Sequence, residues 1–205
     1  MWNWLKKVFK YGEFKETDVA PQPGGSSFAL VPLAEEPPQE IIPQESIMPT
    51  ETERRIDQLI IHCSATRATQ DIGVKTLRQW HTAPKPDGRG WLDVGYHYVI
   101  RRSGKVELGR DLDGDGLVDD EVGAHAFGWN SNSIGICLIG GVAQDGTTPE
   151  PNFTDAQMAA LGALILAKTQ QYPGARVMGH RDTGAKKACP SFDVGKWLAE
   201  YGLTT

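Results

Sequence analysis

A chain of 205 residues has room for one catalytic domain plus an appendage and is too short for a multidomain machine. With 40% hydrophobic and 23% charged residues and no apolar run near the ~20 residues that span a bilayer, the composition is that of a soluble globular protein. A net charge of -5 argues against broad phosphate-backbone binding, which needs a surplus of Lys and Arg, so nucleic acid is not an expected partner.

The charge divides the chain into three parts. Residues 1–16 carry four Lys and two Glu, residues 17–53 carry seven acids and no base, and residues 54–205 carry seventeen of each. In the first part, Trp4, Leu5, Val8 and Phe9 share one helical stripe while Lys6, Lys7 and Lys10 face away. This predicts a basic amphipathic helix able to touch a membrane surface through residues 2–11, or to dock on protein. Its apolar run is too short and too interrupted by Lys for a secretory signal. The second part holds seven of the thirteen prolines and reads as an extended, disordered acidic tether.

From residue 54 onward the pattern is that of one mixed domain. Residues 58–61 form a continuous apolar run, expected for a strand buried on both faces that delivers His62 at its end. Residues 73–83 read as a helix with Leu77, Trp80 and His81 turned inward. Residues 95–101 and 105–108 flank Ser103-Gly104 and read as a hairpin. A second buried strand covers 134–141. Thr154 and Gln157 form a capping box ahead of a helix that runs to about residue 172. A short strand then presents His180, and a last helix spans about 193–201. Strands alternating with helices predict an α/β fold, a mixed central sheet flanked by helices.

His62 and His180 each end a strand, and Cys189 follows nine residues after His180. Two imidazoles and a thiolate make a plausible zinc set with a fourth position left for water. By spacing alone the plainer reading also stands: a strand-end His is often structural, and a free Cys is often a small buried hydrophobe. Three cysteines, Cys63, Cys137 and Cys189, are an odd number that does not suggest a disulfide framework, and they fit a reducing compartment.

The strings IIHCSAT (60–66), GWLDVGYHYVI (90–100), GAHAFGWNSNSIGICLIGG (123–141), GHRD (179–182) and KACPSFD (187–193) occur in that order. Together they closely resemble the bacteriophage N-acetylmuramoyl-L-alanine amidases typified by the T-odd coliphage lysozyme, which share a fold with peptidoglycan recognition proteins. The resemblance covers roughly residues 55–203. It implies zinc ligands at His62, His180 and Cys189, catalytic support from Tyr96 and Lys187, and a substrate-groove position at His125. Lys186 adjoins Lys187, so a one-residue slip would exchange the two lysines. His97, next to Tyr96 on a strand, is expected on the opposite face with a structural hydrogen bond. Cys63 and Cys137 read as core.

The resemblance implies a zinc amidase of the endolysin type. It would cut the amide between N-acetylmuramic acid and L-alanine in peptidoglycan, act as a monomer, and reside in the host cytoplasm before lysis. Tyr96 could orient water or pass a proton, and the Lys187 ammonium could stabilise charge on the carbonyl oxygen. A rival is a non-catalytic wall-binding or regulatory module, against which the retained Cys189 argues; another is a zinc peptidase acting within the stem peptide. Residues 111–121, DLDGDGLVDDE, resemble an EF-hand calcium loop, with Asp111, Asp113, Asp115 and Asp119 at ligand positions but Val122 where a bidentate Glu belongs.

Overall fold

The computed structural model describes residues 54–203. The helix expected over 1–16, its membrane contact and the tether over 17–53 lie outside the described residues. In chain order the elements are β1 (Gln58–Cys63), β2 (Thr66–Arg67), α1 (Val74–Thr82), β3 (Tyr98–Ile100), β4 (Val106–Leu108), β5 (Ser133–Leu138), β6 (Gly141–Val142), α2 (Asp155–Gln171), β7 (Arg176–Gly179) and α3 (Val194–Glu200). Among the described residues no helix is long and apolar enough to cross a membrane.

The two continuous apolar runs become neighbouring central strands. The main sheet has the order β4-β3-β5-β1-β7; β3, β5, β1 and β7 are parallel and β4 is antiparallel at the edge. Strands in such a position are covered on both faces, which is why they carry no polar alternation. One face, with Leu59, Ile61, Ile134, Ile136, Leu138 and Val177, packs against Leu161 and Ile165 of α2 and Trp197 and Leu198 of α3. On the other face Val99 and Cys137 meet Val74 and Leu77 of α1, and Ile60 and Met178 meet Ala126. Each fully buried Leu or Ile contributes about 1.5–3 kcal/mol. The period of two along β1 puts His62 on the same face as Ile60, the face that α1 covers only in part.

The capping box forms as expected, with Thr154 Oγ1 accepting from the Gln157 amide and the Gln157 side chain accepting from the Thr154 amide. Gln157 is also fully buried, and its side-chain amide donates to the carbonyls of Ile100 and Ile139, joining the start of α2 to the sheet. Two local expectations are corrected. Trp80 is 42% exposed, because α1 buries only Val74 and Leu77. The hairpin strand begins at Tyr98 and not at residue 95.

Of the expected calcium ligands in segment 111–121, the structure brings Asp111, Asp113 and Asp115 together but not Asp119. Carboxylate oxygens of Asp111, Asp113 and Asp115 approach within 4.8 Å of one another, but they accept from the amides of Gly114, Gly116, Asp115 and Leu117. Asp119 turns into the domain instead, accepting from Tyr98 Oη at 2.5 Å, Lys168 Nζ at 2.5 Å and Tyr172 Oη at 2.8 Å. Glu121 is occupied by the Leu112 amide. Self-satisfied turns and an inward anchor account for these acids, and a calcium site is not supported.

Candidate metal centre

His62 lies near the C-terminal end of β1, and His180 directly follows β7, opening the short 3-10 turn His180–Thr183. Because β1 and β7 are parallel, with Ile61 opposite Gly179, the two residues leave the sheet side by side. Their ring centroids are 4.5 Å apart. Sites at the carboxyl ends of parallel strands are the usual place for chemistry in open α/β sheets.

Cys189 arrives by a different route, on the loop ahead of α3. The Arg181 amide donates to the Cys189 carbonyl at 2.8 Å, and the Cys63 amide donates to Cys189 Sγ at 3.3 Å. Two residues on, Ser191 adopts a left-handed φ of 74°, held by its hydroxyl donating to the Gly141 carbonyl at 2.7 Å. A non-glycine residue in that region costs on the order of 1–2 kcal/mol, so the turn is held by its surroundings. The result is that Cys189 Sγ lies 3.8 Å from His62 Nδ1, and one ligand atom each from His62, His180 and Cys189 falls within 4.8 Å of the others. Two imidazole nitrogens and one sulfur at this spacing fit the preferences of zinc.

The protonation states suit such a role. Burial, helped by the proximity of His125, His180 and the Lys187 cation, holds His62 well below the usual imidazole range. Burial and Lys187 lower His180. Both rings are therefore neutral at pH 7 with a lone pair to offer. The Cys189 thiol is pushed up by its hydrogen bond with Cys63 and by burial, so it holds its proton until something stronger than that pairing takes the sulfur.

Tyr96 packs with its ring 5.2 Å from that of His62 and 5.6 Å from that of His81. Burial raises its phenol well above the ordinary value, so at neutral pH it is an O–H donor. Lys187 is exposed, and it is the lysine whose charge acts on both His62 and His180.

The profile of the family described as N-acetylmuramoyl-L-alanine amidase matches residues 52–192. The chain belongs to that family. The endolysin of Klebsiella phage KP32 is 51% identical over 148 residues, 72% of this chain and 89% of that protein. The endolysin of Escherichia phage T7 is 45% identical over 149 residues, 73% and 89% of the two chains. Among solved structures, the amidase LysCS from Clostridium intestinale URNW superposes with a TM-score of 0.58 at 22% identity, covering 75% of this chain and 88% of that one. Drosophila PGRP-LB does so with 0.56 at 24%, covering 74% and 84%. These two likenesses establish a shared fold. The protein is thus a phage-type N-acetylmuramoyl-L-alanine amidase, an enzyme built on the mixed sheet with flanking helices that its sequence led us to expect.

Two placements in the amidase differ from expectation. The alternation argument for His97 fails because the chain is not yet a strand at residue 96. Tyr96 and His97 both end up beside the histidine cluster, Tyr96 against His62 and His97 with its ring 5.4 Å from that of His125. His97 Nδ1 accepts from the Gly135 amide at 2.9 Å and its Nε2 donates to the Glu121 carbonyl at 2.8 Å. His125 was expected to line the substrate groove, but it is 8% exposed and sits behind His62, with Nδ1 3.0 Å from His62 Nε2 and Nε2 3.4 Å from Ser133 Oγ. Gly123 and Gly135 explain the inward turn. A Cβ on either would come within 2.5 Å of the His125 ring, so their bare backbones form its slot.

Sequence reasoning did not single out Ser133 or assign a role to the half-buried His81. His81 Nδ1 accepts from the Gly95 amide at 3.0 Å, which fixes the run into Tyr96. Ser133 lies inside the 123–141 string, which gives it no role of its own, and His81 belongs to none of the motifs, so only the contacts give them a place.

Proposed function

We propose that this amidase is zinc-dependent, with His62, His180 and Cys189 as its metal ligands, and that it hydrolyses the bond between N-acetylmuramic acid and L-alanine in bacterial peptidoglycan. The observation that carries this reading is the convergence of two neutral imidazoles and one thiol within 4.8 Å at the mouth of the parallel sheet. A zinc ion held there would supply Lewis acidity for the attack of water on an amide carbonyl. The imidazoles would serve as neutral donors without a preceding proton loss, and the Cys189 thiol would give up its proton on ligation.

The remaining steps fall to this chain's own side chains. Tyr96, protonated and close to His62, offers its hydroxyl as a hydrogen-bond donor that orients the nucleophilic water or returns a proton to the leaving nitrogen. Lys187 places a cation on the open side of the same cluster, where negative charge grows on the carbonyl oxygen as the amide is attacked. The buried walls formed by His62 and the cluster beneath it limit water to one side, so these charges act in a medium of reduced dielectric.

The three free cysteines support synthesis in a reducing compartment such as the host cytoplasm, ahead of action on the wall. Mass spectrometry of digested sacculi tests the bond: free stem peptides beginning at L-alanine are expected, and cleavage only within the stem would identify a peptidase instead. Chelation should abolish the release, and zinc should restore it.

A further inference from the structure

We infer that His125 is a positioning residue that fixes the tautomer of His62, so that the Nδ1 facing Cys189 carries a lone pair and no proton. The inference rests on the metal-ligand reading of His62 given above, and a chain of hydrogen bonds carries it.

The chain starts at a fixed acceptor. The Ser133 hydroxyl donates to the Trp129 carbonyl at 2.6 Å, which commits its only proton. What Ser133 Oγ has left for His125 is lone-pair density, so His125 Nε2, 3.4 Å away, must bring the hydrogen. A neutral imidazole has one N–H, so His125 Nδ1 is then an acceptor. It lies 3.0 Å from His62 Nε2, which must therefore donate. His62 is left with an unprotonated Nδ1, and that atom is the one 3.8 Å from Cys189 Sγ. Each link determines the next, from a backbone carbonyl to the metal-facing nitrogen.

Three observations show that the relay is built. His62 and His125 are 1% and 8% exposed, so water does not substitute for either partner. The His125 ring occupies the slot left by Gly123 and Gly135, which prevents it from swinging away. Its amide and that of Ala126 both donate to Asn130 Oδ1 at 2.9 Å, pinning the backbone on which the ring is carried. His97, whose ring stands against that of His125, has its own tautomer set by the Gly135 amide and the Glu121 carbonyl. It therefore does not compete for the His125 nitrogens. A histidine ligand commonly has its second nitrogen held by a carboxylate or carbonyl; here a second imidazole takes that place.

Two measurements test the relay. Long-range nitrogen-proton NMR spectra of the metal-free full chain should show His62 with its hydrogen on Nε2, and a hydrogen on Nδ1 would overturn the proposal. Zinc affinity, read by competition with a chromophoric chelator, should fall about 10- to 100-fold in His125→Phe, which fills the slot but cannot accept. In His125→Asn it should stay within a few-fold of the parent, because Asn Oδ1 can accept where Nδ1 stood. Equal loss in both variants would make His125 a packing residue, and parental affinity in a folded His125→Phe would remove it from the site. If the parent binds no zinc, the metal reading fails, while the tautomer spectrum still decides the relay.

Discussion

His62 Nδ1 and Cys189 Sγ face each other at 3.8 Å although 127 positions separate them in the chain. The Cys63 amide, next door to His62, donates to the same sulfur at 3.3 Å, so the strand that carries one proposed ligand also holds the other in place. Cys189→Ser keeps the backbone arrangement and replaces a soft donor with a hard one, which zinc takes poorly. Elemental analysis should find close to one zinc per parent chain and a small fraction of that in the variant, with sacculus hydrolysis falling in step. Full-speed degradation by the serine variant would be incompatible with the proposed centre.

The two adjacent lysines should behave differently. Lys187 acts electrostatically on both His62 and His180, so Lys187→Ala is expected to lower turnover roughly 100-fold, the scale of losing one charge-stabilising group. Both lysines are exposed, and neither substitution should change the melting temperature. Lys186→Ala should hydrolyse peptidoglycan at near the parental rate. The reverse pattern would move the assignment by one residue.

Tyr96→Phe removes a hydroxyl and little volume. Turnover is expected to drop about 100- to 10,000-fold, the contribution of a positioned proton donor, with zinc content unchanged. Loss of zinc together with activity would instead make Tyr96 a structural support of the cluster.

The five histidines of the chain all have lowered pKa values, with burial the first cause in each, and His81 and His97 are brought to about 4. Below the unfolded value of about 6.5 the unfolded chain takes up protons that the folded chain does not. Stability of the metal-free enzyme should therefore decrease as pH falls from about 6.5 toward 4, by as much as roughly 1.4 kcal/mol per pH unit for each of the buried His62, His97 and His125 and by less for the half-buried, solvent-screened His81 and His180. Guanidinium melts at pH 7 and pH 5 measure the slope. Equal stability at the two pH values would mean that these rings are not held neutral.

Asp119 anchors the acidic segment through Lys168, Tyr98 and Tyr172. Burial by itself would raise its pKa, but the bonds from those three groups outweigh it and bring the carboxyl below its ordinary value. The stabilisation is present at neutral pH and disappears as pH falls through that lowered value. Asp119→Asn should cost on the order of 2–3 kcal/mol at pH 7, since it leaves the Lys168 ammonium, 12% exposed, without its counter-charge. The variant should also lose part of the acid dependence of stability below pH 4, and an unchanged acid profile would show that the anchor is not ionised.

Much of the architecture could be read along the chain, because it is written in local periodicity. The apolar runs around Ile60 and Ile136, the Thr154 capping box and the strand before His180 each announce themselves within about ten residues. The ordered motifs likewise named His62, His180, Cys189, Tyr96 and Lys187 as a set. The segment after residue 91 was harder, since an alternation argument holds only inside a strand, and β3 starts two residues after Tyr96.

The sequence by itself determined the residue types of the centre, the strands that carry two of them and the fold class, since each depends on neighbours close in the chain. Only the tertiary structure decided that His125 lies behind His62 instead of in a groove, that Asp119 faces Lys168 instead of a cation, and which nitrogen of His62 looks at the sulfur. Those outcomes depend on the space that Gly123 and Gly135 leave open and on donors and acceptors contributed by distant segments, and no local pattern encodes either.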